Sequence, residues 1–78
     1  MTPQEVADRI RNARFTSVTF HRGYDMNQVD ELLEALETAA LAGDRLATVV
    51  AAYSLRTTRI RPGYAIDEVD AFLATIVV

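Results

Sequence analysis

The chain contains no cysteine and one histidine among 78 residues, and all eight of its basic residues are arginines. The first two scarcities matter because a core of this size nets only ~3–5 kcal/mol, and small folds are often supported by a disulfide, a metal or a partner chain. Without cysteine and with a single histidine, the disulfide is excluded and a structural metal is not expected. A partner chain is the support left open. No apolar run approaches the ~20 residues of a membrane-spanning helix. The opening Met1-Thr2-Pro3-Gln4-Glu5 is polar and lacks the hydrophobic stretch of a signal peptide, so a cytoplasmic protein is expected. A net charge of −3 argues against nonspecific nucleic-acid binding.

What the chain does have is a repeat. Shifted by 40 positions it overlays itself: Gly23, Tyr24, Val29, Asp30 and Leu33 meet Gly63, Tyr64, Val69, Asp70 and Leu73. Conservative pairs extend the match, among them Phe15/Leu55, Phe20/Ile60, Met26/Ile66, Gln28/Glu68 and Leu32/Phe72. One domain over residues 1–78 is expected, with internal repeats at 2–41 and 42–78; two copies are too few for a solenoid.

Each copy reads as helix, extended arm, turn, helix. Thr2, Pro3 and Glu5 fit N-cap, N1 and N3 of a first helix with an apolar stripe of Val6, Ile10 and Ala13. In the second copy Asp44 is the expected cap of a helix carrying Leu46, Val50 and Tyr53. The arms, Phe15–His21 and Leu55–Arg61, are rich in β-branched residues and aromatics. Val18 and Phe20 would share one face of the first arm, Thr58 and Ile60 one face of the second. Gly23-Tyr24 and Gly63-Tyr64 are then expected as turns, the glycines taking positive φ.

The closing helices carry Met26, Val29, Leu32, Leu33, Leu36 and Ala40, and Ile66, Val69, Phe72, Leu73 and Ile76, at the helical period. Asp25 would suit an N-cap, but its counterpart is Ala65. The repeat therefore favours Asn27 and Asp67 as caps, with Asp30 and Asp70 at N3 beside free N–H groups. Gly43-Asp44 makes a short corner between the copies. The expected fold is mainly α with two short β or extended arms, a tandem helix-arm-turn-helix repeat packed about a pseudo-twofold axis, with the arms free to meet as an antiparallel ribbon.

Three surfaces are candidate functional sites. The tips Phe20, His21 and Arg22, and Ile60 and Arg61, pair an apolar residue with a cation. They suit either an anionic membrane or, as their equivalent apolar positions favour, packing of Phe20 and Ile60 against the core. Between Arg45 and Tyr64 there are four arginines and no acid, so Arg56, Arg59 and Arg61 form a basic arm; between Asp25 and Glu37 there are five acids and no base. The second copy has also lost the outer charge of its helices: Arg11, Glu31 and Glu34 become Ala51, Ala71 and Ala74. That bare face suits self-association into a homodimer.

No enzyme is expected. His21 has no nucleophilic cysteine or serine elbow to serve, and the acids of the first closing helix fall on its solvated arc. No cofactor is implied. A helix-turn-helix DNA reader is disfavoured because the helix after Gly43 reads Leu-Ala-Thr-Val-Val-Ala-Ala, with almost nothing to contact bases.

The run from Phe15 through Arg22-Gly23-Tyr24 to Val29-Asp30, preceded by Thr2-Pro3, resembles the N-terminal domain of the DivIVA family. In the second copy Pro62-Gly63-Tyr64 and Val69-Asp70-Ala71-Phe72-Leu73 resemble the DivIVA-like repeats of actinobacterial proteins. The resemblance implies a scaffold of bacterial division sites or growing poles, with a dimerising domain and a hook that touches the inner face of the membrane. By position, the hook falls on Phe20, His21 and Arg22, and on Ile60 and Arg61. Two departures bear on this. The heptad-like seam Val29, Leu33, Leu36, Ala40 stops at Gly43-Asp44 after about two heptads, so no filament-forming coiled coil is expected there. Pro62 stands where the motif has arginine. The expected role is thus a protein-interaction module presenting its Gly-Tyr hooks to a partner or membrane, and the alternative is a purely structural oligomerisation domain.

Overall fold

The computed structural model describes residues 2–77. Helix α1 spans Pro3–Arg11, and its start is as the local chemistry dictates: Thr2 is the N-cap, its hydroxyl accepting from the Glu5 N–H at 3.2 Å, and Pro3 supplies no redundant donor. Ile10 is fully buried and Val6 and Ala13 are half-buried, while Ala7 joins the same face fully buried.

Two-residue strand β1 (Ser17–Val18) lies within the first arm, and β2 (Gly23–Asp25) runs straight into the 17-residue helix α2 (Met26–Ala42). Gly43, at φ 77°, stops α2: its N–H reaches the Ala40 carbonyl at 3.2 Å and the Asp44 N–H reaches Ala39 at 2.9 Å. This is a Schellman closure, which a left-handed glycine makes without strain. Helix α3 (Leu46–Ala52), strand β3 (Thr57–Thr58), strand β4 (Gly63–Ala65) and helix α4 (Ile66–Ile76) follow. Among the described residues the fold is thus four helices and one four-stranded antiparallel sheet of order β1-β4-β2-β3.

That order corrects two expectations. The arms do not meet each other but lie at opposite edges, β1 on β4 and β3 on β2. At the centre are the Gly-Tyr segments, which are strands and not turns, with Tyr24 opposite Tyr64. Nor do Gly23 and Gly63 have positive φ; among glycines only Gly43 does. They are required for a different reason. A Cβ on Gly63 would lie 2.8 Å from the Tyr24 carbonyl oxygen, and one on Gly23 would lie 2.8 Å from Val18 Cγ2 and 3.0 Å from the Tyr64 carbonyl oxygen. Two backbones cross too closely for a side chain.

The caps also differ. Asp25 caps α2, accepting from the Gln28 N–H at 3.1 Å, and Ala65 occupies the matching position of α4 with no side-chain cap bond. Asn27 and Asp67 are therefore second residues of their helices, and Asp30 and Asp70 lie beyond the free N–H groups of the first turn. The strand fixes where the helix begins, and a side-chain cap is added only where the residue permits it. Asp44 likewise precedes the N-cap of α3, which is Arg45 without a side-chain bond.

The core joins α1, α2 and α4: Ala7, Ile10, Val29, Leu32, Leu36, Ala40, Val69, Leu73 and Ile76. Phe15 closes its sheet end, with ring centroids 5.6 Å from Tyr64 and 5.8 Å from Phe72. Helix α3 packs on α2 but fully buries none of its residues.

Gly63→Ala should lower unfolding free energy by at least ~2 kcal/mol, because the new methyl meets rigid backbone and not a movable side chain. Urea titration followed by circular dichroism measures this; a loss no larger than that of an exposed helix substitution would contradict the crossing.

Candidate functional site

The sheet is clasped by hydrogen bonds that run between residues before Gly43 and residues after it. The Tyr24 hydroxyl donates to Asp70 Oδ1 at 2.7 Å, and the Tyr64 hydroxyl donates to Asp30 Oδ1 at 2.9 Å. The Ala65 N–H donates to the Thr16 carbonyl at 2.9 Å, and the Asp25 N–H to the Arg56 carbonyl at 2.8 Å. The Thr16 N–H donates to Glu68 Oε1 at 2.6 Å, and the Arg56 N–H to Gln28 Oε1 at 2.5 Å. Each bond thus has a partner displaced by 40 positions. The paired aspartates, expected as helix-cap neighbours, are tyrosine acceptors. Their equal spacing from Tyr24 and Tyr64 in the two copies is the signal from which a crossed pairing was available.

These bonds have consequences for titration. The Tyr24 hydroxyl is raised above its ordinary pKa, first by the bond to Asp70, then by burial and the carboxylate charge. For Tyr64 burial leads and the bond to Asp30 follows. Glu68 is lowered, because the Thr16 N–H and then the Thr16 hydroxyl, the latter at 2.8 Å, stabilise its carboxylate. Its counterpart Gln28 does not titrate, so one clasp is ionisable and the other is not.

The loops between arms and Gly-Tyr strands lie outside this frame. Phe20 is 82% exposed and Ile60 is 87% exposed, which overturns packing of either against the core. The arm stops being a strand at Val18, and Phe20 has φ 64°, a left-handed conformation that is rare for a bulky residue. Its side chain therefore does not share a strand face with Val18. The loop bases are tied to the sheet: Arg22 Nε donates to Thr57 Oγ1 at 3.3 Å, and Arg61 Nη2 lies 3.4 Å from Asp25 Oδ2. His21, Arg22, Arg59 and Arg61 are exposed on these loops, while Arg56, also exposed, lies before β3 with its backbone in the sheet clasps. Ala51, Ala71 and Ala74 are exposed on α3 and α4.

An open cleft between the end of α1 and α2, about 350 Å³, is lined by Arg11, Arg14, Asp30, Glu37 and Tyr64 among others. Within it Arg11 Nε donates to Glu37 Oε2 at 3.0 Å, Asp30 accepts from the Tyr64 hydroxyl, and Arg14 donates to the Ala13 carbonyl at 2.8 Å. Among the described residues no three His, Asp or Glu side chains converge on a metal-sized site, and no helix is long and apolar enough to cross a membrane. No protein-family model matches the chain, and no curated protein or solved structure does so either.

Tyr24→Phe and Tyr64→Phe should each cost about 0.5–1.5 kcal/mol, near the lower end because both hydroxyls are reached by water. A folded-state pKa raised above the ordinary ~10 contributes stability that is complete below pH ~10 and lost as pH rises through the raised value. Urea midpoints of the native chain should therefore fall above pH ~10, and the fall should be smaller in the double phenylalanine variant. Glu68 has the opposite sign. Its contribution is complete above the ordinary carboxylate range, ~4.3, and disappears as pH falls through the lowered value, so Glu68→Gln should flatten the acid limb of the same titration.

Proposed function

We propose that residues 2–41 and 42–78 are two units of one kind packed about a pseudo-twofold axis, and that the chain is a docking module of the DivIVA kind. Its loops 19–22 and 59–62 are the docking elements, and the surface of an anionic membrane is the occupant they suit best. The observation that carries this reading is the exposure of Phe20 (82%) and Ile60 (87%), which stand at matching positions of the 40-residue repeat. Both units hold a large apolar side chain out of the core at the same place. In the first unit this is done at the expense of a left-handed backbone, a strain of about 1–2 kcal/mol.

The chemistry around the tips fits that occupant. Burying a Phe or Ile side chain contributes ~1.5–3 kcal/mol, and each arginine near an anionic headgroup layer contributes ~1 kcal/mol. Arg22, Arg59 and Arg61 stand next to or within two residues of the tips. The membrane is the inner face at a septum or cell pole, in keeping with the resemblance in the motif. The module then acts by positioning whatever is attached to it or bound beside it, with no chemical step.

A second reading rests on a separate observation. Ala51, Ala71 and Ala74 are exposed where the first unit has Arg11, Glu31 and Glu34. A face so stripped of charge suits contact with a second molecule, and the protein would then be a structural oligomerisation domain.

Co-sedimentation with phosphatidylcholine vesicles containing phosphatidylglycerol tests the first reading. The native chain should partition onto them and Phe20→Ser/Ile60→Ser should bind at least about tenfold more weakly, while vesicles of phosphatidylcholine alone should bind neither. No binding by the native chain would remove the membrane as occupant. Light scattering of Ala71→Glu/Ala74→Glu against the native chain tests the second reading: loss of a native oligomer supports it, and a native monomer at high concentration rejects it.

A further inference from the structure

Every strand pairing in the sheet joins a segment before Gly43 to one after it: β1 to β4, β2 to β4, and β2 to β3. The Tyr–Asp bonds and the Thr16–Glu68 and Arg56–Gln28 bonds do the same. None of these contacts requires the two halves to belong to one molecule. What keeps them together is the corner between α2 and α3.

That corner is lightly built. Gly43 closes it at φ 77°, and a Cβ placed there would meet nothing within 4 Å, so a side chain at this position meets no steric obstacle. The second side of the corner has no side-chain cap at Arg45, and α3 fully buries none of its residues. Leu41, beside the corner, is 49% exposed. Leu41-Ala42-Gly43-Asp44-Arg45-Leu46-Ala47 contains no proline, so rotation of Gly43 into the right-handed region, together with a turn of Arg45 out of its extended conformation (ψ 113°), lets α2 and α3 continue as one helix. From Met26 to Ala52 that helix would be about 40 Å long, and it would carry the second half away from the first.

We propose that Gly43 is a hinge, and that a second copy of this chain is the partner that fills both opened surfaces. In this reciprocal dimer the residues before the hinge of one molecule pair with those after the hinge of the other, through the same register and the same Tyr–Asp bonds. Two identical interfaces close the assembly and leave no half unpaired. The inference rests on the pseudo-twofold pairing of the two units and is independent of membrane docking.

Gly43→Ala creates no clash but disfavours the left-handed hinge by about tenfold; two hinges relax per dimer, so the association constant should rise about a hundredfold. Gly43→Asn, which tolerates that region, should behave nearly as the native chain. Light scattering over a concentration series reads both, and a Gly43→Ala chain that stays monomeric throughout overturns the hinge. Complementation tests the exchange directly. Gly23→Val and Gly63→Val, each placed on Gly43→Ala, should be unfolded alone, yet co-refolding should give a 1:1 heterodimer with one intact sheet. Unfolded variants that yield no heterodimer overturn the exchange. If either variant alone remains a folded monomer, the pairing between the two halves is wrong, and the pseudo-twofold reading fails together with the exchange.

Discussion

The structure depends on one close approach, the antiparallel crossing of Gly23 and Gly63. Because neither residue carries a Cβ, β2 and β4 meet with less than a side chain's width between them. That separation places Tyr24 opposite Tyr64, and from there each hydroxyl reaches an aspartate on the helix that follows the other strand. The arms then have only the outer edges left to pair with, which sends β1 to β4 and β3 to β2. The helices α2 and α4 start directly from the strand ends. Remove the crossing and the sheet, the clasps and the relative placement of the helices lose their common support.

The two halves are not equal in how they are supported. Helix α1 has a side-chain cap, a fully buried Ala7 and Ile10, and an ion pair from Arg11 to Glu37 on α2. Helix α3 has neither a side-chain cap bond at its N-terminus nor a fully buried residue. Contacts of this kind set local opening free energies, so the second half's first helix is the part of the chain least restrained by its own structure. Of the exposed alanines standing 40 positions after Arg11, Glu31 and Glu34, Ala51 lies on this helix and Ala71 and Ala74 lie on α4.

Much of this architecture was legible from periodicity and from glycine, and the failures have a shared cause. The closing helices, the Thr2 cap and the stop at Gly43 depend on residues close in sequence, where spacing carries the information. The repeat also led from Ala65 to the rejection of Asp25 as a cap, yet Asp25 caps α2. Repetition constrains the backbone, and Ala65 can begin a helix without capping it. The role of Gly23 and Gly63 was missed because a glycine required by a neighbouring backbone looks in sequence the same as one required by positive φ. For Phe20 and Ile60 the sequence leaves an exposed hook and core packing open and favours the core, because apolar residues at equivalent positions usually belong there; what they share is exposure.

The loops also show why equivalent positions need not have equivalent conformations. Phe20 is the only non-glycine residue with positive φ among those described, so Ile60 reaches a similar exposure without it. A β-branched residue is the poorest occupant of the left-handed region, and the loop around Ile60 instead contains Pro62, whose φ is locked at negative values. The two loops are thus of equal length and differ in shape, one held by a strained phenylalanine and the other by a ring. A surface that engages both must accept an aromatic tip beside His21 and Arg22 and a branched aliphatic tip between Arg59 and Arg61. A lipid headgroup layer, which adapts to either shape while answering the charge, meets that requirement more readily than a rigid twofold-symmetric partner does.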